Sequence, residues 1–551
     1  MNQDSDSVKT LDCFVSTEAD HACDNPSCSW SSRNNVRGIE VMFDGAAFTF
    51  RYGDRVAGPY NNIYMLEPEE LVEKLGVDNE TASFARFEAL AMYEDQELDF
   101  ERLAEFLGLT IRYDNVNKVV CFLAMLSAYT EDSQFNVSFR AESSTGKSYI
   151  PLELANLFPS EDVLEYAYSS PTAFWHDTGQ WDQETETIRI NLERKILIFV
   201  DMPHDQLLQR LRPLLSHDRR ELTYKITDRK EKAGLRTKTV VIKGFPSVIF
   251  CTGHLKADEQ ETTRMFMLSP ETSIEKIREA IYLRAKREAD KKAFEELVES
   301  DPKRKMLRSR IKKIKQAHIL DVVIEDPERV ADQFINSRSR LRPRHMRDIG
   351  RLISLIKAFA LLNFKHRQAV EKKKDLDGNE WAIIKADRKD IENAFKVWSL
   401  IEEPQEYGVP PFVYQVFKQV IEPLALEKDP TDAAQGPTRV EVMKKFFEVF
   451  GRPLSRITWE KEIVPALEAA GLLEIEPHPL DKRKSIYIPT TIRRFDESGA
   501  TPHSRDTYLD QDIKVTEGLN IGGKYVSQHC GVNLEDDRVH YLKFTGEAKN
   551  E

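Results

Sequence analysis

The stretch FNVSFRAESSTGKS, residues 135–148, decides how the rest of the chain is interpreted. Residues 135–139 are mostly apolar and predict a strand, and the residues after 148 have the spacing of a helix. Between them, residues 141–148 fit the pattern Gly-x-x-x-x-Gly-Lys-Ser, with Ala141 in place of the first glycine. Consecutive backbone N–H groups in such a loop, followed by a helix N-terminus, wrap an anionic phosphate. The stretch therefore predicts a phosphate-binding loop within an α/β fold.

The residues of this loop have separate expected tasks. Gly146 lets the backbone approach the phosphate closely, Lys147 reaches the β- and γ-phosphates of a nucleotide, and Ser148 ligates magnesium. ATP and Mg²⁺ are therefore the expected ligands. A chance match in a surface loop is the alternative, and a second motif downstream counts against it. The predicted nucleotide-binding residues of the loop are Ala141, Ser143, Ser144, Thr145, Gly146, Lys147 and Ser148.

A second apolar stretch, ILIFVD at 196–201, predicts a buried strand that ends in a carboxylate. In P-loop nucleoside triphosphatases a neighbouring strand of this kind ends in an Asp whose carboxylate helps to hold the magnesium ion. Asp201 is therefore predicted to act with Ser148. An ordinary core strand with an exposed terminal Asp is the alternative. Met202 follows where such enzymes usually carry Glu to polarise the attacking water. The sequence therefore supports nucleotide binding more directly than hydrolysis.

A third apolar strand, residues 247–252, is predicted to end at the same edge of the sheet, because ligands bind outside the carboxyl ends of parallel strands. Thr252 or His254 is predicted to sense the γ-phosphate there. Arg264 follows, and an arginine at this place can reach a nucleotide held by a neighbouring subunit and stabilise transition-state charge. The alternative for Arg264 is a salt bridge with a nearby glutamate. The predicted catalytic residues are Lys147, Asp201 and Arg264.

Residues 221–243 alternate apolar and polar positions around a basic turn, which predicts a strand–turn–strand hairpin. A protruding basic hairpin can follow a phosphate backbone without reading bases. The alternative is a solvated hairpin, because sheet edges commonly carry lysine to prevent aggregation. The candidate DNA-binding residues of the hairpin are Lys225, Arg229, Lys230, Lys232, Arg236 and Lys238.

Residues 408–490 have the pattern of a small DNA-binding module. Three helical segments are predicted, with Pro465 interrupting the third, and a hairpin follows them. This order is typical of a winged helix, in which a helix enters the major groove and the wing contacts the DNA backbone. A protein-interaction module is the alternative. The tip of the predicted wing carries three candidate DNA-binding residues, Lys482, Arg483 and Lys484.

The overall composition limits the classes of function. The chain has 551 residues, 41% of them hydrophobic, and this length predicts about three or four domains. A formal net charge of -13 excludes a general polyanion binder, so a nucleic-acid site must be a local basic surface. No apolar run is long enough to span a bilayer, and the N-terminus has no signal peptide. The sequence therefore predicts a soluble, intracellular, cytoplasmic protein without membrane contact.

The six cysteines do not form a disulfide framework, which favours a reducing compartment. Cys121 and Cys251 lie in apolar runs and are predicted to be buried thiols. Near the N-terminus, His21, Cys23 and Cys28 are candidate zinc ligands, but the set lacks the paired spacing of a structural zinc site. Unpaired thiols in a flexible arm are the favoured interpretation of that set.

The order of these motifs resembles the AAA+ core of the minichromosome-maintenance type of replicative helicase. Residues 169–173, SSPTA, are similar to the family's Ser-Ser segment, and residues 232–234, KAG, to part of its pre-sensor hairpin, which contacts DNA in a central channel. Arg264 stands where the family places its arginine finger. Residues 344–352, RHMRDIGRL, resemble the lid helix that carries the second sensor, a role that this resemblance gives to Arg344. The family also ends in a winged helix.

The sequence departs from the family's pattern at defined places. Met202 replaces the catalytic Glu, Gly253 stands where the family has its sensor Asn, and residues 36–114 do not resemble the family's DNA-binding collar. These departures fit a divergent helicase of a mobile genetic element.

The resemblance implies a homo-oligomeric ring, expected to be a hexamer, that hydrolyses ATP between its subunits in DNA replication. It would hold single-stranded DNA in its channel and duplex DNA at the winged helix. Met202 keeps open a nucleotide-dependent switch or loader that binds DNA with little or no unwinding. A non-ATPase interaction protein with a decayed nucleotide site is a third interpretation, and the intact Gly-Lys-Ser counts against it.

The predicted fold is an α/β AAA+ P-loop core with a helical lid, a small N-terminal α+β module and a C-terminal winged helix. The sequence assigns no role to the N-terminal module or to the residues after the winged helix. The predicted boundaries are a disordered arm at 1–35, the N-terminal module at 36–114, the core at 115–270, the lid at 271–405, the winged helix at 406–492 and a polar tail at 493–551.

Overall fold

The structure is a computed structural model in which the chain divides into two compact units, Met1–Ile492 and Arg493–Glu551. The second unit, and with it the predicted polar tail, lies outside the described residues, as do the candidate zinc ligands His21, Cys23 and Cys28. The described residues are 32–167, 179–183, 185, 187–203, 205–228, 236–255, 263–338, 340–374, 380–429 and 434–491.

The N-terminal part is an antiparallel meander covered by helices. Its strands follow one another in the sheet in chain order, and alternate side chains of the second and third strands are buried because only one face packs on the helices. The first strand begins at Ser32, so the predicted disordered arm at 1–35 was wrong for its last four residues, which pair with the second strand. The elements are β1 (Ser32–Val36), β2 (Ile39–Phe43), β3 (Phe48–Tyr52), β4 (Arg55–Tyr60), α1 (Pro68–Leu75), α2 (Asn79–Glu94) and α3 (Phe100–Phe106).

A five-stranded parallel sheet flanked by helices forms the centre of the molecule, which confirms the predicted α/β core. Before it comes α4 (Asn115–Ser127), a helix buried on all sides from Asn117 onward. The strands lie in the order β13-β5-β12-β9-β6, and α5 (Tyr149–Ala155) follows β5. The strands are β5 (Asn136–Arg140), β6 (Val163–Tyr166), β9 (Ile196–Phe199), β12 (Ser247–Thr252) and β13 (Met265–Leu268).

Strands β9 (ILIF) and β13 (MFML) are buried along their whole length, which is why they are apolar without alternation. On β9, Ile196 and Ile198 face one core together with α4, whereas Leu197 and Phe199 face another core together with α6 (Asp205–Leu215). The two free cysteines of the described residues, Cys121 and Cys251, are buried as predicted.

A second sheet is formed by two segments of the chain that connect strands of the parallel sheet, one between β6 and β9 and one between β9 and β12. The predicted hairpin at 221–243 is present as an antiparallel pair, and its second strand also pairs in parallel with a strand of the other segment. Its apolar side chains share a core with α6. The order in this sheet is β10-β11-β8-β7, and its strands are β7 (Gln180–Asp182), β8 (Thr187–Asn191), β10 (Glu221–Asp228) and β11 (Arg236–Lys243).

The region predicted as a helical lid also contains a three-stranded sheet that the sequence interpretation missed. The missed strands are β14 (Ile319–Val323), β15 (Ala369–Lys374) and β16 (Glu380–Lys385), with β16 in the middle. The helices are α7 (Ile274–Ala289), α8 (Lys291–Ser300), α9 (Pro302–Gln316), α10 (Pro327–Asn336), α11 (His345–Leu362) and α12 (Arg388–Tyr407).

Helix α11 packs against both α4 and α12. One continuous hydrophobic core runs from Ile39 in the N-terminal sheet through the parallel sheet to Ile401 in α12. The predicted N-terminal module, core and lid therefore share a single interior.

The C-terminal module, residues 409–491, has the predicted order of helices followed by a hairpin, with its own core. Pro423 and Pro465 are each the second residue after a π-helical turn, which widens the helix near the place where a proline cannot donate a hydrogen bond. The helix therefore continues past Pro465. The elements are α13 (Pro411–Val416), a π turn (Phe417–Ile421), α14 (Glu422–Leu426), α15 (Arg439–Phe450), α16 (Arg456–Thr458), a π turn (Trp459–Ile463), α17 (Val464–Ala469), β17 (Leu473–Pro477) and β18 (Ser485–Pro489).

Within the described ranges, no helix has both the length and the apolar character that crossing a membrane requires.

Candidate phosphate-binding site

The predicted phosphate loop lies at the carboxyl edge of the parallel sheet. Thr252 is level with Arg140, the last residue of β5, and the backbone N–H of Ala141 donates to the carbonyl of Thr252 at 3.3 Å. The chain leaves β5 toward β6 at one side of the sheet, whereas β13 lies on the other side of β5. Ligands of open α/β sheets bind outside the carboxyl ends of the strands at such a reversal of order. The loop therefore occupies the position where this topology favours a ligand.

The loop backbone contains two residues with positive φ. Gly146 has φ +96°, a conformation that glycine adopts without strain, and an added Cβ there would meet open space. Ser144 has φ +66°, which costs a residue with a Cβ about 1–2 kcal/mol. Successive residues of opposite helical hand turn their N–H groups toward one point and form a concave anion site. The sequence named Ser144 as a ligand residue but gave no sign of this backbone strain.

Lys147, Ser148 and the end of β9, which Asp201 follows by two residues, converge at this edge. The Ser148 hydroxyl donates to the carbonyl of Val200, the residue before Asp201, at 3.5 Å. The ammonium of Lys147 donates to the carbonyl of Glu142, across the loop, at 3.5 Å. The carboxylate of Asp201 is exposed and accepts a hydrogen bond from the N–H of Met202 at 2.9 Å. The predicted metal-binding pair, Ser148 and Asp201, is therefore brought together.

Cys251 forms the floor under these groups. Its thiol donates to the carbonyl of Lys147 at 3.5 Å, and burial raises the pKa of Cys251 to about 12 against the lowering effect of the Ser148 hydroxyl and the Lys147 ammonium. The thiol is therefore neutral at physiological pH and adds no charge beneath the loop.

The two candidate sensors at the end of β12 have other contacts. Thr252 is buried, and its hydroxyl accepts a hydrogen bond from the N–H of His254 at 3.1 Å. The His254 ring lies 3.5 Å from the carboxylate of Glu462, which also accepts from the N–H of Leu255 at 3.0 Å. Both residues are at the predicted edge, but His254 faces the C-terminal module.

A cavity of about 760 Å³ opens beside the loop. Loop residues 142–146 form its polar wall, and Ile111, Ile277 and Ile281 contribute to an apolar wall. Small-molecule sites commonly have volumes of about 300–1,000 Å³ and combine an apolar lining with a few polar groups. The cavity can therefore hold a ligand with an anionic end at the loop and an apolar ring system toward α7.

A buried ion pair anchors the loop on the cavity side. Lys276 pairs with the carboxylate of Asp114 and donates to the carbonyls of Thr145 at 3.4 Å and of Glu271 at 2.8 Å. Nearby, Lys118 is buried and donates to the carbonyl of Ile111 at 3.1 Å, and burial lowers its pKa to about 8. Lys276 therefore holds the loop in place and is committed to protein partners.

Arg264 lies at the opposite edge of the sheet from the loop. It directly precedes β13, whose first residue, Met265, is level with Asn136, the first residue of β5. The loop follows the last residue of β5, four positions on, which corresponds to roughly 13 Å along the strand. The guanidinium Nε of Arg264 donates to the hydroxyl of Ser216 at 2.5 Å. Within one chain, Arg264 and the loop are therefore not brought together.

Arg344 also lies on the side of the amino edge. Its guanidinium is 3.4 Å from the carboxylate of Asp348, which also pairs with Arg351. Arg351 donates to the carbonyl of Met265 at 3.0 Å, at the start of β13. Burial lowers the pKa of Arg344, whereas the nearby Asp348 carboxylate raises it. Arg344, like Arg264, is separated from the loop of its own chain.

The candidate DNA-binding residues are described only in part. Lys225 is exposed on β10, and the residues predicted at the wing tip, Lys482, Arg483 and Lys484, are exposed between β17 and β18. Arg483 and Lys484 share the carboxylate of Asp481, at 3.7 and 3.4 Å. Arg229, Lys230, Lys232 and the segments at 169–173 and 232–234 lie outside the described residues, and Arg236 and Lys238 belong to β11 by backbone only.

The sequence interpretation missed two residues that contact the site from the C-terminal module. Arg452 pairs with Glu142 inside the phosphate loop, across 310 positions of sequence, and Glu462 holds the end of β12. No local pattern marks such pairs. Among the described residues, the loop therefore contacts four separate stretches of the chain, which contain Val200, Cys251 and Thr252, Lys276, and Arg452.

Comparison with known proteins does not identify the chain, since no protein-family model matches its sequence and no curated protein is significantly similar to it.

Proposed function

We propose that the chain is a ring-forming, ATP-dependent DNA translocase or helicase of the AAA+ class. The observation that carries this proposal is the meeting of Lys147, Ser148 and Asp201 at the carboxyl edge of a parallel sheet, beside a cavity of about 760 Å³. A strained anion-binding loop at this position is costly to maintain without a ligand, and strain of this kind concentrates at functional sites. The resemblance in motif order to minichromosome-maintenance helicases points to the same class.

The residues at this edge fit a magnesium nucleotide. Mg²⁺ is bound in proteins through one or two oxygen ligands together with substrate phosphates, and the Ser148 hydroxyl and the Asp201 carboxylate supply such oxygens. The ion neutralises phosphate charge when it is bound. Lys147 adds a cation for the β- and γ-phosphates, and the loop N–H groups orient them. The apolar wall of the cavity accommodates the base.

The position of the arginines supports a ring. Arg264 and Arg344 lie at the edge away from their own loop, where a second copy of the chain can present its loop to them. A head-to-tail interface of this kind closes into a ring when the rotation allows. Lys225 on the β10–β11 hairpin and the basic tip of the C-terminal hairpin are then available for single-stranded DNA in the channel and for duplex DNA at a winged helix.

Met202 favours a second candidate function, a nucleotide-dependent switch or loader. Its side chain is partly buried against the core beneath the second sheet. A thioether cannot accept a proton from the attacking water, so the position that commonly supplies a general base is apolar here. Such a protein binds ATP, assembles on DNA and turns ATP over slowly.

ATP turnover by the wild type and by Lys147→Ala, each with and without single-stranded DNA, tests the proposal. We expect turnover that DNA stimulates in the wild type and a loss of about a hundredfold or more in the variant, because a cation that stabilises transferring phosphates is removed. Lys292→Ala, an exposed lysine on α8, is the matched control and should behave as the wild type. Tight ATP binding without turnover would select the switch, and an absence of ATP binding would refute both functions.

A further inference from the structure

The C-terminal module touches the carboxyl edge of the parallel sheet at three places. The N–H of Phe412 donates to the hydroxyl of Ser269 at 3.2 Å, at the end of β13. Glu462 accepts from the N–H of Leu255 just after β12, and Arg452 pairs with Glu142. Of these three contacts, that of Arg452 is made with a residue of the phosphate loop itself.

Arg452 is held in a defined orientation. It follows Gly451, which ends α15 with φ +66°, and its guanidinium lies 5.4 Å from the ring centre of Phe412 and 5.5 Å from that of Phe446. Stacking on aromatic rings fixes the plane of a guanidinium and leaves its edge N–H groups free to donate. The side chain lines the same cavity as loop residues 142–146. Its Nη2 is buried, and no described residue accepts a hydrogen bond from it.

Glu142 makes a nearby cation necessary if the loop binds an anion. A carboxylate inside a phosphate-binding loop repels the ligand, and the repulsion is strong where solvent is partly excluded. Arg452 neutralises that charge through one edge of its guanidinium. A guanidinium has five N–H donors, so the same group can hold a carboxylate and a phosphate oxygen together.

We propose that Arg452 is a nucleotide-binding residue that the C-terminal module contributes to the phosphate site of its own chain. The inference rests on the proposed function, because it names an additional contact to the phosphates of the same nucleotide. It supplies, within one chain, the arginine that Arg264 and Arg344 cannot supply from the opposite edge. The module then contacts the ligand, so docking of the module on the sheet strengthens nucleotide binding. Nucleotide binding strengthens that docking by the same factor.

The experiment measures the dissociation constant of ATP with Mg²⁺ by calorimetry for the full chain and four variants. These are Lys147→Ala, Arg452→Ala, Glu142→Gln and the double variant of the last two. We expect Arg452→Ala to weaken ATP binding about tenfold to a hundredfold, the range for a lost hydrogen bond between charged groups. The decisive comparison is between the double variant and Glu142→Gln, and the double variant should remain at least about tenfold weaker.

Equal dissociation constants for the double variant and Glu142→Gln would overturn the inference, because Arg452 would then act only by neutralising Glu142. Two controls separate contact from docking. Glu462→Ala removes the other charged link to the sheet, and Arg439→Ala removes a surface charge from α15, the helix that ends just before Arg452. Arg439→Ala should change the constant less than about threefold, within the small effect of exposed charges, and Glu462→Ala, which loosens the end of β12, should weaken binding less than Arg452→Ala. A loss with Glu462→Ala equal to that with Arg452→Ala would assign the effect to docking and refute the contact.

The failure of this inference differs from that of the proposed function. Wild type that binds ATP, Lys147→Ala that does not, and Arg452→Ala that binds as the wild type would leave the phosphate site standing and remove Arg452 from it. Wild type without ATP binding would remove both.

Discussion

The two edges of the parallel sheet carry different halves of the predicted site. At the carboxyl edge, loop residues 142–148 are partly or fully accessible, Asp201 is exposed, and the side chains of Lys147 and Ser148 make long contacts of 3.5 Å. At the amino edge, Arg351 is buried in a dense network with Asp348 and Gln405. The carboxyl edge has the character of a binding surface, and the amino edge that of a structural anchor with two arginines, Arg264 and Arg344, at its margin.

This difference teaches that one chain cannot assemble the site that its motifs predict. Strands are rigid spacers, so residues placed at the two ends of β5 and β13 stay roughly 13 Å apart along the strands whatever the side chains do. The arginines are either structural or belong to the nucleotide of a neighbouring copy. ATP turnover by Arg264→Ala and the stability of Arg344→Met distinguish these two roles.

The largest expected effect is on ATP turnover by Arg264→Ala. An arginine supplied in trans contributes about 10³–10⁵ in rate in related phosphoryl transfers, so turnover should fall at least about a thousandfold with nearly unchanged ATP binding. Mixing Arg264→Ala with Lys147→Ala, each inactive alone, should restore roughly a quarter of wild-type turnover, because random assembly in a head-to-tail ring makes that share of interfaces complete. Steady-state turnover of the mixture measures this.

Full turnover by Arg264→Ala alone would contradict the assignment in trans. Mixtures that stay inactive although both variants are impaired would show instead that Arg264 supports its own chain, through its contact with Ser216. Arg439→Ala, which loses a surface ion pair with Glu460, is the charge-matched control.

A smaller effect is expected on the free energy of unfolding, which should fall more for a substitution of Arg351, inside α11, than for one of Arg344, at the N-cap of that helix. Arg351→Met leaves the buried carboxylate of Asp348 without its closest partner and should lower the free energy of unfolding by about 3–5 kcal/mol. Arg344→Met should cost about 1 kcal/mol, because its ion pair with Asp348 is longer and less enclosed. Urea unfolding of both variants measures the difference, and equal losses would make Arg344 a structural residue.

The smallest effect is a pH dependence at the base of the cavity. Burial lowers the pKa of Lys118 to about 8 from its ordinary value of 10.5, so between these values the unfolded chain binds more protons than the folded chain. The wild type should therefore gain stability relative to Lys118→Met as the pH rises from about 7 to about 9.5, by about 1–2 kcal/mol. Urea midpoints at both pH values, with exposed Lys292→Met as control, test this sign. A constant difference would mean that Lys118 titrates alike in both states.

Local sequence patterns predicted the elements that depend on near neighbours. The loop at 141–148, the strand ending before Asp201 and the hairpin at 221–243 were found because each is specified by a few consecutive residues. The strand Ala369–Lys374 was missed because its sequence, AVEKKK, is charged and lies at the edge of its sheet, where no apolar alternation is needed.

Contacts between distant segments were beyond the reach of sequence patterns. The pairing of Arg452 with Glu142 depends on how two cores meet, and neither residue has a distinctive neighbourhood in sequence. The π turns before Pro423 and Pro465 were missed for another reason, since a proline in a helical pattern normally indicates an interruption. The AAA+ assignment, the winged helix and all roles of the site residues stay predictions.

The packing of helix α11 has a consequence for how the molecule unfolds. The helix lies against α4 in the core that also contains the N-terminal sheet. The N-terminal sheet and the sheet that carries the phosphate loop share this core, so we expect them to unfold in one cooperative step rather than as independent domains.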